Sequence, residues 1–173
     1  MGYAGGSKKN PSYHNLGDHT ETIQLEYDPR QITYAQLLDI FWESHNPALA
    51  RPVQYTSIVF FHNEEQAALA RKTLTAREAK NGKLYTTVVA AREFYAAEDY
   101  HQKYYLQQFA QLTNELRACY KDFEMFVRSS VAARINGYVA GYGTMEMLEA
   151  EIDRFGLTDE GRQALLKHVA KLG

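Results

Sequence analysis

The sequence predicts an α+β domain followed by a helical region, and two observations lead to this fold class. Segments typical of β-strands, joined by connections of helical periodicity, occur at residues 20–28, 54–62 and 84–91. From Tyr100 onward, apolar residues recur at the three- and four-residue spacing of helices. We therefore expect an α+β domain over residues 1–106 and an all-helical C-terminal extension, packed on that domain, over residues 107–173.

Length and composition are those of an ordinary globular chain. The 173 residues are enough for a sizeable core, and 45% hydrophobic with 23% charged residues is a typical balance. A net charge of −2, with both signs scattered, argues against nucleic-acid binding. No apolar run approaches the roughly 18 residues that a membrane span needs, and no hydrophobic signal region is found. We therefore expect a cytoplasmic protein without a membrane partner.

The helices are predicted mainly from their capping residues. Thr33 begins a capping-box pattern ahead of an apolar stripe that contains Trp42, which we expect in the core. Asn63 repeats the pattern for a helix over residues 64–80. By contrast, residues 1–19 are expected to form an extended, turn-rich segment.

Glu21, at the start of the first predicted strand, is the candidate catalytic carboxylate. On an alternating strand it shares a face with Ile23, Leu25 and Tyr27. A carboxylate at the mouth of an apolar strand face is partly desolvated, which favours its protonated form, and a neutral carboxylic acid can protonate a substrate. The alternative, a charged residue fraying into solvent at a strand start, stays open on these observations.

Several ordered motifs resemble those of the methionine sulfoxide reductase A family. They are GYAGG at residues 2–6, NPSY at 10–13, GDHTE at 17–21, YDP at 27–29, LLDIFWESHNP at 37–47, Gln54-Tyr55, and FYAAEDYHQKYY at 94–105. Ordered motifs at the right separations are more specific than any one motif. The resemblance covers about residues 2–106 and implies a ferredoxin-like mixed sheet with packed helices.

The resemblance also implies an activity, the reduction of methionine S-sulfoxide in oxidised proteins or as the free amino acid. In that family a cysteine attacks the sulfoxide sulfur, a glutamate protonates the oxygen, and two tyrosines bind the oxygen. Position by position, the glutamate matches Glu21 and the tyrosines match Tyr13 and Tyr55. Thioredoxin or another thiol is the implied reductant, with no cofactor and no metal, in a role of protein repair under oxidative stress.

Part of the family pattern finds no match in this sequence. The cysteine belongs to a G-C-F-W segment ahead of GYAGG, so we expect a truncated chain that lacks the first strand and helix, is marginally stable, and is inactive as given. The family's aspartate before Gln-Tyr also finds no match, since residues 46–54 contain no acid. The alternatives are a non-catalytic module that binds methionine sulfoxide or proteins, and a non-functional product of truncation.

Cys119 is the one cysteine of the chain, so no disulfide forms within it. A lone helical cysteine is usually a small buried hydrophobe, and that is what we expect here. No spacing of histidines is typical of a metal site.

Overall fold

The computed structural model describes residues 1–172 and has the expected α+β class with a helical C-terminal region. Its chain divides into two compact units, Met1–Glu98 and a second unit that begins at Asp99. The proposed domain limits at residues 106 and 107 stay a prediction. Among residues 1–172, no helix is long and apolar enough to cross a membrane.

The first unit contains short strands in two small sheets. The strands are β1 (Gly2–Ala4), β2 (Thr20–Thr22), β3 (Ile58–Phe61), β4 (Thr87–Ala90) and β5 (Phe94–Ala96). One sheet is antiparallel in the order β2-β1-β5, with Tyr3 opposite both Glu21 and Tyr95. The other pairs β3 with β4 in parallel, as expected of two strands joined by a crossover helix.

Two helices and a 3-10 turn complete the first unit. They are α1 (Tyr34–Glu43), the 3-10 turn Val53–Tyr55 and α2 (Glu64–Asn81). The Thr33 side chain accepts from the Gln36 backbone N–H and Gln36 bonds back to the Thr33 backbone, which confirms the predicted capping box.

The predicted strand limits in the first unit need correction. Gly2–Ala4 is the central strand of a sheet, although residues 1–19 were expected to form an extended, turn-rich segment and no strand was assigned there. The strand expected over residues 20–28 ends at Thr22, because its partner β1 has only three residues to pair with. Ile23 and Leu25 are therefore 65% and 62% exposed and do not form a buried face with Glu21.

The other two predicted strands are shorter than expected. Residues 53–55 form a 3-10 turn, closed by the Tyr55 amide donating to the Pro52 carbonyl at 2.8 Å, so β3 begins only at Ile58. The segment predicted over 84–91 is a strand from Thr87 to Ala90.

Within residues 1–98 the buried apolar side chains form two separate clusters. Leu38 and Trp42 of α1 pack with Val59, Ala70 and Leu84. Trp42 is 3% exposed, as predicted, and its indole N–H donates to Thr73 Oγ1 at 3.1 Å. The other cluster consists of Tyr3, Leu16 and Ala97, with the rings of Tyr13 and Tyr95 packed against it. This second cluster lies under the candidate site.

The second unit is helical. Its α-helices are α3 (Tyr104–Gln107), α4 (Ala110–Ala118), α5 (Phe123–Arg128), α6 (Ser130–Val139), α7 (Met145–Glu151) and α8 (Asp159–Val169). They enclose a continuous core in which Phe126, Ile135, Leu148 and Leu165 are fully buried. Thr144 and Thr158 cap α7 and α8 with their side chains, as the sequence predicts.

Candidate functional site

Tyr13 lies on a tight turn that the local sequence closes. Ser12 and Asn15 form an isolated antiparallel bridge, in which the Asn15 amide donates to the Ser12 carbonyl at 2.9 Å. Asn10 supplies the left-handed residue that leads into this turn, with φ of 50°. The Tyr13 ring packs on Tyr3 and its neighbours, so the turn presents a half-buried phenol.

The turn is also held by a carboxylate from the far end of the unit. The Tyr13 backbone N–H donates to Glu98 Oε1 at 3.0 Å. The other oxygen, Oε2, accepts from the Tyr3 hydroxyl at 2.5 Å. Because Tyr3 is 1% exposed and belongs to β1, Glu98 ties the turn to the centre of the antiparallel sheet.

Glu21 and Tyr55 lie on two elements that hydrogen bonds join side by side. Thr20 Oγ1 of β2 donates to the Val53 carbonyl of the 3-10 turn at 2.7 Å. One residue further on each element, Gln54 Nε2 donates to Glu21 Oε1 at 2.6 Å. Glu21 is thus held by the side-chain amide of Gln54, the residue next to Tyr55. It does not lie on the apolar strand face that the alternation predicted.

The structure brings the three predicted site residues together. Partial removal of the Tyr55 phenol from water raises the pKa of Tyr55 above its ordinary value, and interactions with Tyr13 and Glu21 raise it further. Tyr55 is 50% exposed, so the cluster is open to a ligand from solvent.

A glycine-rich loop beside β1 is ordered by two side chains of the GDHTE motif. Asp18 accepts from the backbone amide and hydroxyl of Ser7 and from the Lys8 amide, and these bonds lower its pKa to about 2. His19, 1% exposed, accepts from the Gly6 amide at Nδ1, 3.2 Å away, and its Nε2 lies 2.8 Å from the Lys8 carbonyl. Since a carbonyl can only accept, the hydrogen of this second bond lies on Nε2.

The glycine at position 6 is required by this close packing. A Cβ on Gly6 would lie 2.6 Å from Asp18 Oδ1 and 2.7 Å from the His19 amide nitrogen. Both distances are shorter than real side chains tolerate. The GYAGG and GDHTE motifs are therefore joined through the backbone of one loop, which precedes the turn that carries Tyr13.

The cluster can bind a small acceptor group through hydrogen-bond donors. Two phenols and a carboxyl group converge, which is suited to a polarised oxygen such as that of a sulfoxide, amide or carboxylate. Among residues 1–172, no group of three or more His, Cys, Asp or Glu side chains is arranged to hold a metal ion.

Cys119 does not have the buried position expected from the sequence. It is exposed, follows the last residue of α4, and its thiol donates to the Glu115 carbonyl at 3.5 Å. Cys119 continues the spacing of the buried residues Leu112 and Leu116, which favoured burial, but α4 ends at Ala118 and Cys119 is its C-terminal cap. Cys119 belongs to the second unit, whereas the three candidate residues belong to the first.

Sequence reasoning did not identify three residues that hold the cluster: Tyr3, Gln54 and Glu98. All three fall inside the motifs named above, and this was an available signal. The motifs alone do not say which of their polar residues face Glu21 or Tyr13, because that depends on pairing between distant segments. The roles of Tyr13, Glu21 and Tyr55 toward a substrate stay predictions.

Comparison with known proteins agrees with the resemblance. The pattern of the family described as "Peptide methionine sulfoxide reductase" matches residues 1–134, and a helical-domain pattern, described as "Selenoprotein methionine sulfoxide reductase A, helical domain", matches residues 121–165. A peptide methionine sulfoxide reductase of Drosophila melanogaster is 42% identical over 173 residues, covering 98% of this chain and 69% of the fly protein.

Relatives from plants and bacteria are similar over shorter stretches. Peptide methionine sulfoxide reductase A5 of Arabidopsis thaliana is 42% identical over 151 residues, 80% of this chain and 57% of the plant protein. Peptide methionine sulfoxide reductase MsrA of Acinetobacter baumannii (strain AYE) is 38% identical over 114 residues, 60% of this chain and 66% of that protein. The chain thus spans between about half and about two thirds of the length of its relatives. It belongs to the peptide methionine sulfoxide reductase family.

Proposed function

We propose that this protein takes part in reducing methionine S-sulfoxide, in oxidised proteins or as the free amino acid, and so in protein repair. Tyr13 and Tyr55 bind the sulfoxide oxygen, and Glu21 delivers a proton to it. One observation carries the proposal: Gln54, the residue next to Tyr55, donates to Glu21, and Tyr13 and Glu21 both act electrostatically on the Tyr55 phenol, which is open to solvent. Family membership supports the same reaction class.

Gln54 gives the carboxyl group of Glu21 a defined orientation. Its amide N–H donates to Oε1, so that oxygen acts as an acceptor. A proton on Glu21 is then carried by Oε2, the oxygen that Gln54 leaves unoccupied. The phenols polarise the S–O bond by donating to its oxygen, and Oε2–H protonates that oxygen as negative charge develops there.

The reaction also needs a thiol, and we propose a cysteine thiolate from outside residues 1–98, which contain no cysteine. The thiolate attacks the sulfoxide sulfur, the S–O bond breaks, and oxygen is transferred to the thiol sulfur. Methionine sulfoxide is reduced by two electrons to methionine, and the thiol is oxidised to a sulfenic acid. A second thiol, from thioredoxin or another thiol donor, then forms a disulfide and releases water. No organic cofactor or metal enters this scheme, and we propose a cytoplasmic location, where thiol reductants keep cysteines reduced.

Epimer-selective binding tests the oxygen-binding part of the proposal. We expect the 173-residue protein to bind the S epimer of N-acetyl-methionine sulfoxide methylamide more tightly than the R epimer, measured by NMR titration. Tyr13→Phe and Tyr55→Phe should each weaken S-epimer binding by several-fold, since each removes one hydrogen bond worth roughly 1 kcal/mol. Tyr142→Phe, at an exposed tyrosine of the second unit, is the control and should leave binding unchanged. Equal affinity for both epimers, unaltered by the two variants, would contradict the proposal.

The proton-donor role of Glu21 is tested separately by rate. In a fusion that supplies a cysteine next to this cluster, Glu21→Gln should slow sulfoxide reduction by roughly 10²–10⁴-fold, the usual contribution of a general acid. Glu65→Gln, an exposed residue in the first turn of α2, is the control. A Glu21→Gln protein that reduces sulfoxide as fast as its parent would show that Glu21 is only a strand residue.

A second candidate function is recognition of oxidised methionine without reduction. The position of the chain's one cysteine, in the second unit, favours it. Incubation of the fusion that supplies a cysteine next to this cluster with dithiothreitol and a dabsylated S-sulfoxide separates the two functions, because reduction then predicts turnover. The binding-only function predicts no turnover above the rate of dithiothreitol alone. Turnover that disappears on Cys119→Ser would instead identify Cys119 as the nucleophile.

A further inference from the structure

We propose that Glu98 is a positioning residue that fixes the Tyr13 phenol relative to Glu21, an inference that rests on the proposed function. Both of its carboxylate oxygens are engaged: Oε1 accepts from the Tyr13 amide at 3.0 Å and Oε2 from the Tyr3 hydroxyl at 2.5 Å. Hydrogen bonds to an ionised acceptor are short and strong. Glu98 therefore joins a surface turn to a buried strand.

Tyr3 links Glu98 to Glu21, the candidate acid of the site. In the antiparallel register, Tyr3 lies directly opposite Glu21. The same residue of β1 thus fixes Glu21 through the strand ladder and Tyr13 through Glu98. Because Tyr3 is 1% exposed and packs in a core cluster, it is a rigid common reference for the acid and the phenol.

The turn itself does not determine where the Tyr13 phenol points. Its Ser12–Asn15 bridge closes the turn locally, and one of its two amide–carbonyl distances is long, at 3.4 Å. The bond to Glu98 is made by the backbone of Tyr13 itself, so it sets the position of the residue that carries the phenol. Loss of that bond should move Tyr13 relative to Tyr55 without unfolding the sheet.

A second carboxylate in the same segment offers a matched control. Glu93 accepts from Lys9 Nζ at 2.6 Å and from the Tyr95 hydroxyl at 2.7 Å, so like Glu98 it accepts a bond from a phenol, but its other partner is a lysine. Its contacts are exposed and involve neither the Tyr13 turn nor Glu21. Glu93→Gln makes the same change as Glu98→Gln, so it measures what the loss of such a charge does to general stability.

The experiment compares Glu98→Ala, Glu98→Gln, Tyr3→Phe and Glu93→Gln in the 173-residue protein. One readout is the pKa of the Tyr55 phenol, measured by NMR of ¹³Cζ-labelled tyrosine, because contacts with Tyr13 and Glu21 act on that group. The other is affinity for the S-sulfoxide. We expect Glu98→Ala to return the Tyr55 pKa toward 10.0 and to weaken S-sulfoxide binding by roughly tenfold, the effect of one or two lost hydrogen bonds.

The conservative variants separate positioning from folding. Glu98→Gln keeps one acceptor oxygen, so it should retain most of the pKa displacement and the affinity. Tyr3→Phe removes the anchor but leaves the bond to Tyr13, so it should change both readouts in the same direction as Glu98→Ala, but less. Glu93→Gln should change neither. If Glu98→Ala does not fold, the difference between Tyr3→Phe and Glu93→Gln decides the question.

Failure of this inference is distinguishable from failure of the proposed function. A folded Glu98→Ala protein with an unchanged Tyr55 pKa and unchanged S-sulfoxide affinity overturns the positioning role of Glu98. If the unsubstituted protein binds no sulfoxide, the proposed function fails, and the Tyr55 pKa alone still shows whether Glu98 positions Tyr13.

Discussion

The two units of this protein are stabilised in different ways. The second unit has one continuous apolar core, in which Phe126 and Leu165 are completely buried. The first unit divides its buried apolar residues between two small clusters and orders its loops through polar side chains such as Asp18, His19 and Glu98. The candidate site lies in the first unit. Polar contacts place individual side chains accurately, whereas a core mainly sets overall stability.

The largest expected effect comes from the core of the second unit. Phe126→Ala should lower the free energy of unfolding by about 3–5 kcal/mol, because it removes a fully buried ring that packs on Phe123. Urea unfolding followed by far-UV circular dichroism measures this change. Ile23→Ala, at a 65% exposed position of the first unit, is the control and should cost less than about 0.5 kcal/mol. Similar losses for both variants would refute the contrast between the units.

Replacing one glycine in each unit by alanine is a second test of the difference between the units. Gly6→Ala should destabilise the first unit by roughly 1–3 kcal/mol, since its Cβ would overlap Asp18 and His19. Gly137→Ala, inside α6, has only a contact at 4.0 Å to meet and should stabilise the second unit by up to about 1 kcal/mol through helix propensity. Denaturant unfolding of both proteins, followed by Trp42 fluorescence and by circular dichroism, tests the opposite signs. Two changes of the same sign would contradict this interpretation.

At high pH the second unit should lose folding stability. Burial, together with the bond to Glu151 at 2.6 Å, raises the pKa of Tyr138 to about 12. The folded state thus keeps a proton that the unfolded chain loses near pH 10, so stability should fall as pH rises from 10 toward 12. Tyr138→Phe should lower the free energy of unfolding by roughly 1 kcal/mol at neutral pH. As the pH rises, the variant should lose less stability than the parent. An unchanged alkaline slope in unfolding experiments would rule out Tyr138 as its source.

At low pH the loop of the first unit should respond, with the smallest effect. Asp18 accepts bonds from Ser7 and Lys8 that lower its pKa from 3.8 to about 2. Its contribution is complete above pH 3.8 and is lost as pH falls through about 2. Asp18→Asn should therefore be less stable than the parent at neutral pH, with a difference that disappears in strong acid. A difference that persists unchanged at pH 2 would exclude this linkage.

The parts of the fold that depend on neighbouring residues could be predicted from the sequence. Thr33, Thr144 and Thr158 cap helices as expected, because a cap joins residues three positions apart. Trp42 is buried because its helix has a clear apolar stripe. The strand β1 was not predicted, because three residues show no periodicity and their partners, β2 and β5, are distant in the chain.

The candidate site, too, could be predicted only in part from the sequence. Tyr13, Glu21 and Tyr55 could be chosen from motifs, and the structure brings them together. The reason first given for Glu21, an apolar strand face, was wrong because Ile23 is exposed. The residues that hold the cluster depend on register and on long-range contacts, as the bond from Tyr13 to Glu98 illustrates. Short motifs contain these residues but not their geometry.

The buried His19 has a consequence for measuring how the loop moves. Both ring nitrogens are occupied, by the Gly6 amide and the Lys8 carbonyl, and the side chain is 1% exposed. An acylating reagent such as diethylpyrocarbonate needs a free, accessible imidazole nitrogen, so His19 can react only while residues 6–8 have moved away. The carbethoxylation rate of His19, compared with that of the exposed His14, therefore reports how often the glycine-rich loop opens. The reaction rate of one histidine thus measures local opening of the loop beside the candidate site.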